Sequence, residues 1–360
     1  MKIASYTSFL EIVGKSPSQM KYVLLIFSLL VSCAAFPQQD VPRYHQIINE
    51  AELLICEEAY TDALTAYGKA FSLIELSFGE DLHNAALVAN LAGNTAVRDQ
   101  YLQQLIDYAK YTDQLKAKYV PQVISSEEWG NLIAQRQIRY DDKLLQVAEA
   151  LNEKDQMFRP DYEHYDDTIN AIRKVNLAYI YELIEENSGL PSHPELGFGQ
   201  QLSMQPHFIV LHHTAQRRSG DKSVTDLEPL LWEAVNAGRF DPELAIRYLN
   251  YQQDREKGAF EVYPIWQYRH PSLPDSLNEQ IWTQKLSEAQ ISAANQIRAN
   301  WMANSLEEIS VKSAFLSRSK WPFIFTSVQK SVMKMASDMD AASALMMYEA
   351  ITMKMVKYGD

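Results

Sequence analysis

Cysteine is almost missing from this sequence. Two residues, Cys33 and Cys56, cannot build a disulfide framework or a cysteine-rich zinc site. Blocks of basic residues are missing as well. The chain carries 33 Lys and Arg against 46 Asp and Glu, a net charge of −13, so it lacks the electrostatic footprint of a nucleic-acid-binding protein. Long apolar runs are scarce. The run Tyr22–Val31 falls short of the roughly 20 residues that a membrane-spanning helix needs. No recognisable nucleophile motif stands out, and histidine, the usual metal ligand, ends at His270.

What is present is globular. Apolar residues make up 47% of 360 positions, enough for two or three domains with real cores. Near the start, Met20-Lys21 precedes Tyr22–Val31 and the small residues Ser32-Cys33-Ala34-Ala35, the layout of a secretory signal. Leu30-Val31-Ser32-Cys33 resembles the lipobox of bacterial lipoproteins, which implies acylation of Cys33; an ordinary cut after Ala35 is the alternative. Residues 1–37 are therefore read as export signal and tether.

Residues 38–152 read as a helical region. Ile47, Ala51 and Leu54 share one helical face, and Tyr60, Ala63, Tyr67 and Ala70 share another. This small-residue and aromatic–Ala–aromatic–Ala spacing resembles a tetratricopeptide repeat, where Ala forms the hole and Tyr the knob between paired helices. A plain helical hairpin bundle fits the same residues. A second pair, Ala85–Gly93 and Asp99–Lys118, drifts in spacing. Ser125-Ser126-Glu127-Glu128 is a capped helix start, and the helix is expected to reach about Asn152.

Residues 153–275 form the next unit. Asp167–Glu186 carries an apolar stripe from Ile169 to Ile184, with Gly189 to end it and Pro191 to prevent restart. Pro206–Gln216 is expected as a short buried helix, with a strand over Phe208–Leu211 as the alternative. Thr225 or Asp226 opens a helix ended by Gly238, and Asp241-Pro242 opens another that brings Asp254-Arg255 near its end. Residues 276–360 are expected as a helical extension: Leu277–Met302, a segment around Leu306–Phe315, a buried Trp321–Phe325, then Met- and Ala-rich helices over Val328–Tyr358. The methionines there suit adaptable core or interface.

Asp155-Gln156-x-x-Arg159, Gly189-x-Pro191, Gly197, His213 and Asp254-Arg255 together resemble an uncharacterised bacterial domain family, over Asp155–Tyr263. The resemblance implies a mostly helical domain and supplies no reaction. Where that family tends to have Tyr-Gly-Thr, this chain has Tyr263-Pro264-Ile265. Separately, Phe208–Thr214 resembles the strand opening of zinc-dependent peptidoglycan amidases, which implies a zinc ligand in the His212-His213 pair; downstream only His270 remains to complete such a set.

The sequence thus reads as an all-α, exported, envelope-associated protein: tetratricopeptide-like hairpins followed by a multi-helix domain. A non-enzymatic protein- or peptide-interaction module is the first functional expectation. Its partner would be a protein or peptide in the envelope, with the membrane reached through an anchor at Cys33 and no nucleic acid involved. The alternative is a hydrolase of cell-wall or peptide material using His213 and Asp254, with a zinc amidase as a variant. No cofactor is expected. Gln156, Arg159 and Arg255 are the candidate binding residues, expected to converge with His213 and Asp254, because buried charge is tolerable only when paired.

Overall fold

The computed structural model describes residues 40–159, 164–199, 202, 205–215, 227–252, 265–269, 281–284, 286–328, 330–334, 340, 343, 345–346 and 355–357. Cys33, Asp254, Arg255, Tyr263 and His270 lie outside them.

The front is built from successive helix pairs. Helix α1 (Val41–Cys56) starts at Asp40, whose side chain accepts a hydrogen bond from the Arg43 amide. It packs on α2 (Tyr60–Phe71), which packs on α3 (Gly79–Leu91), which packs on α4 (Thr95–Tyr108). Ala51, Ala63, Tyr67 and Ala70 are fully buried, while Tyr60, the other expected knob, is half-buried. Helix α3 differs from its neighbours because every residue from Gly79 to Ala89 is buried. It is the axis of the front, and its polar residues must find partners inside the protein.

Helices α5 (Thr112–Tyr119) and α6 (Ser126–Ala134) follow. Ser125 and Glu128 form the expected capping box. The helix does not continue to Asn152, however. After Ala134 the chain crosses the end of α4, where the Arg136 guanidinium donates to the carbonyls of Ile106 and Ala109 and the Gln137 amide donates to Asp107. Helix α7 (Asp142–Gln156) then restarts from Asp141, which accepts from the Lys143 and Leu144 amides.

A second core gathers Leu151, Ile180, Leu183, Phe208, Leu211, Leu231, Val235, Phe240 and Tyr248. Its elements are α7, α8 (Asp166–Glu186), α10 (Phe208–Ala215), α11 (Glu228–Asn236) and α12 (Pro242–Gln252); the short α9 (His193–Leu196) instead packs Leu196 on Leu145 and Ala148 of α7. Gly189 stops α8, and its amide donates to the Ile184 carbonyl. The expected helix at α10 is present; the strand alternative, and with it the strand opening of the amidase resemblance, is not. Asp241 caps α12 through the Glu243 and Leu244 amides.

The all-α expectation needs correction in the C-terminal part. Strands β1 (Ile265–Arg269), β2 (Ile281–Gln284), β3 (Lys330–Lys334) and β4 (Met355–Lys357) form a sheet in the order β3-β1-β2-β4. Strand β1 runs parallel to β3, with Ile265 beside Lys330, and antiparallel to β2, with Trp266 beside Trp282. Strand β2 is antiparallel to β4. Thus part of Leu277–Met302 and part of Val328–Tyr358 are extended where helix was expected. Their pairing partners lie far away in sequence, and tertiary pairing of this kind overrides local propensity. Helices α13 (Glu288–Asn300) and α14 (Leu306–Arg318) begin at capping boxes formed by Ser287 with Gln290 and Ser305 with Glu308. No helix among the described residues is long and apolar enough to cross a membrane.

Candidate functional site

Three polar constellations arise from this packing. The first surrounds Asp155, in the last turn of α7. Its carboxylate is almost fully buried, which is costly unless it is paired. Arg159, one helical turn on, donates from Nε at 3.0 Å and from Nη2 at 3.1 Å. Gln156 donates at 2.8 Å. His213, in the last turn of α10, places Nδ1 2.5 Å from Oδ2. Burial alone would raise the Asp155 pKa; the hydrogen bonds from His213 and Arg159 outweigh it and hold the carboxyl below its ordinary range.

Three of the expected site residues, Gln156, Arg159 and His213, therefore do converge. The carboxylate that gathers them is Asp155, a residue of the same motif, and not a member of the expected set. Asp254 and Arg255 fall outside the described residues. With Nδ1 on the carboxylate, the His213 imidazole is oriented and its Nε2 is the atom that could take a proton from water. His212 points elsewhere, its ring 5.5 Å from that of Tyr248, and burial and then the neighbouring His213 push it down to about 4. Among the described residues no three groups of metal-ligating type converge.

The second constellation is a buried charge network joining α1, α12, α13 and α14. Lys312 is fully buried and donates to Glu52, Asn49 and Asn304. Asn304 in turn donates to Glu243 at 2.8 Å, and Arg298 closes on the same carboxylate. Burial would raise Glu243, but Arg298 and the Asn304 hydrogen bonds keep it below its ordinary value. Each donor has an acceptor, which suits a structural brace. These pairs carry no sequence signature, because Glu52 and Lys312 are 260 positions apart.

The third constellation lies on α3. Trp321–Val328 returns to the front without regular secondary structure. Its side chains alternate: Phe323, Phe325 and Ser327 are buried, while Pro322 is exposed and Ile324 and Thr326 are half-buried. Its backbone alternates in the same period. The Pro322 carbonyl accepts from His83 Nε2 at 2.7 Å. The Ile324 carbonyl accepts from Asn84 Nδ2 at 2.6 Å, and the Ile324 amide donates to Asn84 Oδ1 at 2.9 Å. The chain then turns, the Val328 amide donating to the Phe325 carbonyl at 2.9 Å, and within that turn the Thr326 carbonyl accepts from Arg247 at 3.3 Å. Carbonyls at every second residue face one way in an extended chain, so helix side chains here do the work of a sheet edge. Tyr119 donates to His83 Nδ1 at 2.5 Å, which fixes the tautomer that lets Nε2 donate. Burial pushes His83 down to about 4, so the ring is neutral.

Sequence reasoning placed Trp321–Phe325 inside but missed His83 and Asn84. A usable signal existed: two adjacent polar residues within a helix otherwise rich in Ala, Leu and Val. No family model matches the chain, and neither the curated proteins nor the solved structures yield a match.

Proposed function

We propose that this protein is an exported, envelope-associated interaction module whose helical front grips extended peptide backbone. One observation carries the reading: His83 and Asn84 engage the carbonyls of alternate residues, Pro322 and Ile324, in an extended segment while the side chains of Phe323 and Phe325 are buried. This is strand recognition, with backbone hydrogen bonds for affinity and side-chain pockets for specificity. The paired helices α1 to α4 supply the rigid wall, and the tetratricopeptide-like spacing of Tyr60, Ala63, Tyr67 and Ala70 is consistent with such a wall. Titration of the full-length protein with a panel of extended peptides tests it. Some should bind with Kd below about 100 μM, whereas binding of none up to millimolar concentration contradicts it.

Export rests on the leader layout around Tyr22–Val31, and anchorage on Cys33. Mass spectrometry of protein from its native host should find an acylated Cys33 or a start at Phe36. A mature chain retaining residues 1–32 contradicts export.

A second reading, a hydrolase of cell-wall or peptide material, is favoured by the His213–Asp155 contact. His213 would accept a proton through Nε2 and Asp155 would orient it. In that case His213→Gln abolishes turnover of peptidoglycan fragments while leaving the fold intact. Equal turnover by variant and wild type removes the reading.

A further inference from the structure

The grip on Ile324 is indifferent to side chain, since both hydrogen bonds of Asn84 go to the Ile324 backbone. Selectivity resides in the buried alternate positions. The Phe323 and Phe325 rings lie 6.2 Å apart, and Phe315 lies 5.8 Å from Phe323. The turn that follows fits poorly: among the described residues Ser327 Oγ is buried without a hydrogen-bond partner, and so is Arg247 Nε at the same end. A buried hydroxyl left unpaired is a penalty that a small apolar side chain avoids.

We propose that Trp321–Ser327 is a displaceable resident of this groove, and that the groove's partner is a peptide extended over the Phe323 and Phe325 positions, with large apolar side chains there, that then turns to present a small apolar side chain at the Ser327 position. The proposal rests on the interaction-module reading and names its partner class. The resident segment is joined to α14 on one side and β3 on the other, so its high effective concentration offsets its imperfect fit. A partner in trans therefore binds only as often as the segment leaves, and its apparent affinity is reduced by that fraction. The segment acts as a built-in competitor.

The test uses a fluorescent peptide copying residues 319–328 with the Ser327→Ala change, titrated into full-length proteins. Ile324→Pro removes the amide that donates to Asn84 Oδ1 and loosens the resident. It should bind the peptide at least tenfold more tightly than wild type, and adding Asn84→Ala should remove the gain. Should Ile324→Pro fail to fold, Ser327→Ala in the full-length protein decides: by improving the resident it should weaken peptide binding at least threefold. Equal affinity of the loosened or improved variant and wild type overturns the proposal. Panel peptides that bind wild type and the loosened variant alike, and lose affinity in Asn84→Ala, would overturn it while leaving the interaction-module reading in place. If no peptide binds any variant, both fall.

Discussion

Asp155 shows how one buried carboxylate can organise two helices. It accepts from its own helix's Gln156, from Arg159 a turn later, and from His213 58 positions away. Its folded pKa is depressed, so its contribution is present above the ordinary carboxylate value near 4 and is lost as pH falls below that. Asp155→Asn should destabilise the protein by about 2 kcal/mol at pH 7, because Arg159 loses its counter-charge. His213→Gln should cost about 1 kcal/mol, since an amide can still donate to the carboxylate. Urea unfolding checks both, and equal costs would mean that His213 carries as much of the pairing as Asp155 itself. Asp155, Gln156, Arg159 and His213 were all legible as polar residues needing partners. Which carboxylate would serve was not, because sequence spacing does not say which helix ends meet.

At the scale of elements, local signals were legible where the chain satisfies itself locally. The Ser125–Glu128 box, the Asp241 cap and the Gly189 stop each depend on residues a turn apart. The break after Ala134 and the strands β1 to β4 were not legible, since Arg136 answers to α4 and each strand answers to a distant one. Gly197 illustrates a constraint that only packing reveals. It has φ +71°, and a Cβ there would stand 2.2 Å from the Tyr108 carbonyl oxygen. Gly197→Ala should therefore lower stability by more than the roughly 1 kcal/mol of the backbone conformation alone. Ala63→Trp should overpack the contact between α1 and α2 and cost about 1–3 kcal/mol. Thermal melting checks both, and an unchanged Tm in Ala63→Trp would contradict a close helix pair.

At the scale of the molecule, buried histidines set the response to acid. Burial pushes His45, His83 and His193 down to about 4 and His207 to about 3. Their folded pKa values lie below the unfolded 6.5, so their contribution is full above that value and is lost as pH falls from 6.5 toward 4. By the standard conversion each gives up about 2 kcal/mol at pH 5. Burial raises Asp81, Glu52 and Asp241, the last to about 6, and these act in the opposite sense, costing stability as pH rises. The histidines prevail in number and in the window. Denaturant unfolding should show clearly lower stability at pH 5 than at pH 7, and a flat or rising profile would contradict this burial pattern.

The buried axis α3, the returning segment and the charge network from Lys312 to Arg298 tie the front to the tail, and the gripped strand is where that architecture bears on function. Amide hydrogen exchange at Ile324 tests it most directly, comparing wild type with Asn84→Ala and using Leu211 in the second core as reference. If Asn84 grips the strand, Ile324 should lose about tenfold more protection than Leu211, the equivalent of one hydrogen bond. Loss of protection at Ile324 and Leu211 in equal measure would mean that the segment is held by the fold as a whole, and the account of a peptide-gripping front would be contradicted.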